Sequence, residues 1–251
     1  MNCKVISHRG ANLHAPQNTL PAFEKSLEIG VDGFETDIHV TVDGVPVVCH
    51  NYDIDETSDG RGFIAEKTLE ELRSYDFGSY FNKKFAGTKI PTLDEFLTLC
   101  EGADIEVLNI ELKSPKQKES GIVAKTIEAV KAHGLFDKLI ISSFDSALLA
   151  EAKQIDNSCK TGLLYCVKDF CSPKVLYNAD GLAAQLHADA LHPHFLHVTP
   201  LYVRRAHKRG IKVNVWTVDN AAVARWVLLC GVDGIITNNP ELIKKVIAEK
   251  A

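Results

Sequence analysis

Nine short, mostly apolar β-rich runs alternate with amphipathic helical runs along the 251 residues. They are KVISH (4–8), GFETDIHV (33–40), VPVVCH (45–50), VLNIELK (107–113), LIISSF (139–144), TGLLYC (161–166), ADALHPH (188–194), KVNVWTV (212–218) and GIITN (234–238). Such runs, rich in β-branched residues, predict strands. Between most of them the apolar positions switch to helical spacing. In NTLPAFEKSLEIG, Leu20, Phe23 and Leu27 share one helical face and Gly30 provides a stop. SGIVAKTIEAVKAHG, SALLAEAKQI, TPLYVRRAHKRG and NAAVARWVLLCG repeat the pattern, the last framed by Asn220 and Gly231.

Strand–helix alternation predicts parallel strands with crossover helices. The run 45–50 is the exception, because Asp43-Gly44 before it is a hairpin signal. It is expected to extend the second strand antiparallel, outside the main sheet. Eight strands then remain, which fits an α/β (β/α)8 TIM barrel. A doubly wound open sheet is the competing topology, but the first strand ends in SHRGA without a GxGxxG loop. Residues 52–106 are too long for a plain loop and carry two short helical patterns. The expectation is one barrel domain over 1–251, with 52–106 as a small inserted subdomain.

Composition narrows the class. Hydrophobic residues make up 45% and charged residues 24%, as in an ordinary globular protein. A net charge of −5 with no basic run argues against nucleic acid as a partner. The seven cysteines are scattered and odd in number, which points to a reducing compartment. No stretch has the length of a membrane span or a signal-peptide core. These features predict a cytoplasmic protein without stable membrane anchoring, and they leave its oligomeric state open.

The chemistry gathers at predicted strand ends, where barrels of this kind place function. The first strand ends in His8-Arg9, and the hairpin strand ends in His50. Glu35 and Asp37 share one face of the second strand; Glu111 and Lys113 share one face of the next barrel strand. Three carboxylates at one mouth repel unless they share a cation. All-oxygen donors suit one Mg2+ or Ca2+, with coordination positions left for water and a substrate oxygen. Arg9 and Lys113 beside such an ion describe a receptor for a phosphoryl group. Two histidines flanking a phosphodiester supply both a base for the attacking hydroxyl and an acid for the departing alcohol.

SHRGANLHAPQNTLPAFEKSLEIGVDGFETDIHVTVDGVPVVCHN closely resembles the opening signature of the glycerophosphodiester phosphodiesterase family. NIELK and NVWTVD…GVDGIITNNP resemble its middle and closing motifs, in order over nearly the whole chain. The resemblance implies a barrel with one divalent ion at its mouth. It also implies hydrolysis of small glycerophosphodiesters, such as glycerophosphocholine and glycerophosphoethanolamine, to glycerol 3-phosphate and an alcohol. By position, His8 and His50 match the acid/base pair, Glu35, Asp37 and Glu111 the metal ligands, and Arg9 and Lys113 the phosphate-side residues. Asn18 and Trp216 match further positions near the site. Asn18 has a second reading as a cap of the first helix, and Trp216 is expected to form a substrate wall. Two positions depart from the family pattern: Asn51 stands where an aspartate is usual, and Glu56 where an arginine is common.

Other residues carry secondary expectations. His192 and His194 share a face in HPHFLH and are candidates for substrate contact or, with His197, a second metal. Cys49 should point away from His50. Cys3, Cys100, Cys230 and Trp226 read as packing residues. Phe77, Tyr80, Phe81 and Phe85 could line an apolar channel, and with it a lysophospholipase D-like activity, or form the insertion's own core.

Overall fold

The structure is a computed structural model that describes residues 3–114, 121–166 and 173–249. Cys171, and Ser120 at the expected start of one helix, lie outside the described residues. The strands are β1 (Lys4–His8), β2 (Gly33–Val40), β3 (Pro46–Val48), β4 (Val107–Leu112), β5 (Leu139–Ser143), β6 (Lys160–Tyr165), β7 (Ala190–Pro193), β8 (Lys212–Val215) and β9 (Gly234–Thr237). The helices are α1 (Leu20–Ile29), α2 (Leu69–Ser74), α3 (Leu93–Glu101), α4 (Ile122–Ala132), α5 (Ser146–Ile155), α6 (Pro173–Gln185), α7 (Pro200–His207), α8 (Ala221–Cys230) and α9 (Pro240–Ala248).

Eight strands pair parallel in the order β1-β2-β4-β5-β6-β7-β8-β9, and β9 closes back on β1. The result is a closed α/β barrel with β3 bonded antiparallel to the outside end of β2. The hairpin turns at Thr41–Val45, where Gly44 adopts φ 83° and Thr41 accepts from the Gly44 amide at 3.0 Å. Lys125 on α4 ties the turn down by donating to the Gly44 carbonyl at 2.8 Å.

The outer barrel faces bury the apolar half of each alternation beneath the helices. Phe34 of β2 meets Phe23 of α1 and Phe96 of α3 with ring centroids 5.5 and 5.8 Å away, and those two rings meet each other at 4.4 Å. Capping follows the sequence signals. Gly30 and Gly231 end α1 and α8 in the left-handed region, and Asn220 caps α8 through Val223. Helix α6, which has no clean periodic pattern, is kinked at Asn178.

The residues after β3 divide in two. Ile54, Ile64, Leu72, Phe77 and Ile90 form a small core of their own with Val47 and Cys49 of the hairpin strand. Helix α3, in contrast, packs Leu93, Phe96, Leu97 and Cys100 into the main core. The expected 52–106 unit therefore runs past its packing boundary, because α3 is one of the barrel's own covering helices.

Candidate active site

Strand register assembles the site. His8 pairs across β1–β2 with Glu35, and Glu35 across β2–β4 with Asn109. One layer toward the mouth, Asp37 pairs with Glu111 and Glu111 with Ser142 of β5. Paired residues face the same side of a sheet, so these side chains form two adjacent rows on the inner wall. The chain leaves β1 abruptly. Arg9 (φ 58°) and Gly10 (φ 79°) are both left-handed, and a Cβ on Gly10 would lie 2.6–2.9 Å from atoms of Ala22 on α1. Only glycine allows α1 to come this close, and the turn folds Arg9 over the barrel mouth.

Glu35, Asp37 and Glu111 are 4%, 0% and 8% exposed, and their nearest oxygens lie within 4.8 Å of one another. Burial, with Asp37 and Glu111 alongside, drives the Glu35 carboxyl well above the usual range. Burial likewise pushes Glu111 up, to about 7. Burial acts the same way on Asp37, but Lys113 and Arg9 outweigh it and hold that carboxyl below its ordinary value. Lys113 bridges Glu111 and Asp37, at 2.8 Å from Asp37 Oδ1, and Arg9 Nε is 3.4 Å from Asp37 Oδ2. Glu35 Oε2 is buried and accepts no hydrogen bond. A hard divalent cation fits this all-oxygen donor set; Glu35, Asp37 and Glu111 are the residues that would hold it.

Asn18 supports the acidic centre. Its Nδ2 donates to Asp37 Oδ2 at 2.9 Å, while its Oδ1 accepts from Thr36 at 2.9 Å. The cap position of α1 is Thr19, so the alternative capping role for Asn18 does not hold: its side chain is already spent on Asp37 and Thr36.

Both histidines are oriented by an asparagine. His8 Nδ1 lies 2.7 Å from Asn238 Oδ1, and His50 Nδ1 lies 2.7 Å from Asn51 Oδ1. An amide oxygen accepts only, so each Nδ1 carries the proton and each Nε2 is left as the basic nitrogen. His8 Nε2 sits 3.8 Å from Glu35 Oε2. Burial, then Arg9, lowers the His8 pKa to about 3; burial also lowers that of His50. Asp219 holds Asn238 through its backbone and side-chain amides at 2.8 and 2.7 Å. Asn51 donates to Glu56 at 3.1 Å. The two departures from the family pattern thus touch each other and form one chain, His50–Asn51–Glu56. Asn238 was not singled out by sequence, although it ends GIITN on the inner face.

These groups line one cleft of about 860 Å³. His8, Arg9, Glu35, His50, Glu111 and Lys113 make one wall; Phe144, Leu164, Tyr165, Trp216 and Ile236 line the other. Trp216 donates to the His192 carbonyl at 2.6 Å, which fixes its indole, and Phe144 meets it edge-on at 5.8 Å.

Other expectations fall away from the cleft. His192 is wholly buried inside the barrel, where burial lowers its pKa to about 3, and its Nε2 meets Asn214 at 3.1 Å. A Cβ on Gly162 would come within 2.7 Å of that ring, so the absence of a side chain there is what admits it. His194 packs on Phe195 and edge-on to Trp216, and His197 faces Tyr165. Among the described residues these histidines form no metal-ligand cluster; Glu35, Asp37 and Glu111 do. Cys3, Cys100 and Cys230 are buried as expected, and burial raises the Cys49 thiol to about 11. Trp226 is not a core residue: it is 47% exposed and its indole donates to Val198. Phe77 is buried in the small core, whereas Tyr80 and Phe81 face solvent, and none of these lines the cleft.

Fold and cleft together define a barrel enzyme of the phosphoric diester hydrolase class. The model of the glycerophosphoryl diester phosphodiesterase family matches residues 8–242, and the chain belongs to that family. It is 39% identical to a glycerophosphodiester phosphodiesterase of Caldanaerobacter subterraneus over 243 residues, which cover 97% of each chain. A glycerophosphodiester phosphodiesterase structure from Agrobacterium tumefaciens superposes with a TM-score of 0.83 at 26% identity, covering 97% of this chain and 99% of that one. A phosphodiesterase of Oleispira antarctica, in complex with the product sn-glycerol-3-phosphate, superposes with a TM-score of 0.86 at 29% identity, covering 98% and 96%.

Proposed function

We propose that this enzyme hydrolyses small glycerophosphodiesters, such as glycerophosphocholine and glycerophosphoethanolamine, to glycerol 3-phosphate and the free alcohol. The observation that carries the reading is the pairing of two oriented imidazoles, His8 and His50, with three buried carboxylates in one cleft. One Mg2+ or Ca2+ held by Glu35, Asp37 and Glu111 would supply positive charge for the phosphoryl oxygens. Arg9 and Lys113 add fixed positive charge at the same place. One imidazole takes the proton of the glycerol 2-hydroxyl as its oxygen bonds to phosphorus. The other, kept protonated by the bound anion, gives a proton to the alcohol oxygen as that P–O bond breaks. Water then opens the cyclic phosphate, its proton and the stored one returning through the same pair. Trp216 bounds the substrate on the apolar side. A cytoplasmic location fits the six described cysteines, all buried and unpaired; among the described residues no helix is long and apolar enough to cross a membrane.

The test is a glycerophosphodiester panel assayed with EDTA, Mg2+ and Ca2+. Release of glycerol 3-phosphate that stops in EDTA and returns with either ion is expected. No release from any simple diester overturns the reading, and normal turnover of a diester lacking the 2-hydroxyl overturns the cyclic route.

A further inference from the structure

Asn109 has no role in the chemistry above, yet its position is unusual. It lies on the inner face of β4, two residues before Glu111, and beside Glu35 in the first inner row. It is 1% exposed and lines the cleft from below. Neither its Oδ1 nor its Nδ2 has a hydrogen-bond partner in the protein. Burying an amide this way is costly while its groups stay unpaired, and Leu112, Leu164 and Ile236 in the same lining offer no side-chain partner.

The amide identifies what would satisfy it. It presents one donor and one acceptor side by side. A phosphate or carboxylate oxygen would engage Nδ2 alone, and an ammonium Oδ1 alone. A hydroxyl accepts from one and donates to the other. The row His8–Glu35–Asn109 then fixes which hydroxyl. With a glycerol 2-hydroxyl next to His8 and Glu35, Asn109 is the next side chain in the row, within reach of a terminal CH2OH attached to the adjacent carbon. The head-group alcohol, in contrast, must leave through the open rim, where Tyr52 and Phe144 are 37% and 43% exposed. The closed floor therefore takes the glycerol end.

We propose that Asn109 is the floor of a hydroxyl-recognition subsite that binds the terminal, non-reacting hydroxyl of the glycerol moiety. This rests on the substrate reading above and adds a specificity determinant to it. A site built to hydrogen-bond a hydroxyl discriminates strongly against an analogue that lacks it, because its own polar groups are then left unpaired. A floor without those groups does not.

The experiment is a two-by-two comparison of kcat/KM. The substrates are glycerophosphocholine and its analogue with the terminal CH2OH replaced by CH3, which keeps the 2-hydroxyl. The enzymes are wild type and Asn109→Leu, which keeps the branched four-heavy-atom skeleton without its polar groups; Asn109→Ala replaces it if the larger leucine variant does not fold. Wild type is expected to prefer glycerophosphocholine by roughly 10^4-fold, and the variant by no more than about 100-fold. A variant that merely perturbed folding would lower both values and leave their ratio intact. An undiminished ratio in the variant, or no preference in wild type, overturns the subsite while leaving the substrate reading standing. Wild type that turns over neither diester overturns the substrate reading and this one with it.

Discussion

At the scale of single residues, the imidazoles of His8 and His50 depend on neutral partners. Asn51 orients His50 and is itself held by Glu56, so a net charge lies one hydrogen bond further from the ring than in a His–carboxylate pair. Asn51→Ala removes the acceptor that keeps the proton on Nδ1. It is expected to lower kcat by roughly 10- to 100-fold, within the contribution of a positioned acid or base, with little change in KM or melting temperature. Asn51→Asp, which restores an acceptor, should recover most of the loss. Steady-state kinetics on the three proteins decides it, and equal kcat in all three would dismiss the relay. The charged members of the site were legible because period two puts Glu35 with Asp37 and Glu111 with Lys113. The asparagines were harder to see. Asn109 and Asn238 look like ordinary polar residues until strand register places one beside Glu35 and a side-chain hydrogen bond places the other on His8. The parity of Asn109 with Glu111 was the available signal. His192 misled for the opposite reason: a histidine at a strand end resembles a reactive group, but Gly162 makes room for it inside the wall.

At the scale of elements, helix spacing and caps were readable wherever an apolar stripe ran uninterrupted. Helix α6 was missed because Asn178 and Gly181 break its pattern and its path kinks there. The edge of the insertion was misplaced because α3 follows it without a strand between, and only packing assigns α3 to the barrel. One contact between covering helices carries a pH signature. His133, at the end of α4, reaches Asp94 and Glu101 of α3 at 2.8 and 2.6 Å. Slight burial opposes its protonation, but the two carboxylates prevail and raise its pKa above the ordinary value. A raised histidine pKa contributes stability that is full below the unfolded value near 6.5 and fades as pH rises through the folded value. His133→Gln should therefore destabilise more at pH 6 than at pH 9. The difference should be at most about 1 kcal/mol, since both carboxylates are largely exposed. Urea unfolding at the two pH values measures it; an equal loss at both would show that the ion pairs contribute nothing.

At the scale of the whole molecule, three buried carboxylates at the mouth place electrostatic tension in the closed barrel. A cation that binds only the folded state relieves it and stabilises by mass action. With Mg2+ or Ca2+ at 100 times its Kd the gain is about 2.7 kcal/mol, or roughly 5–10 °C in melting temperature for a chain this long. Glu35→Gln removes one charge that is already disfavoured by burial and by Asp37 and Glu111. In EDTA this variant is expected to melt no lower than wild type, and on adding the ion to lose most of the upward shift. Thermal melts with and without ion test this, and an unchanged shift in the variant would remove Glu35 from the cation site.

The antiparallel strand β3 gives the two imidazoles different mechanical footing. His8 is built into the closed wall, where its neighbours on both sides are bonded strands. His50 is carried at the end of an arm whose alignment with β2 rests on three pairs, Ile38–Val48, His39–Val47 and Val40–Pro46. A strand that slips by one residue turns every side chain to the opposite face. A single-residue insertion or deletion in the turn around Asp43-Gly44 would thus present Cys49 or Asn51 where His50 now stands, while leaving every barrel strand in place. The placement of His50 opposite His8 is therefore set by the length of a surface turn, a dimension that can be edited independently of the barrel.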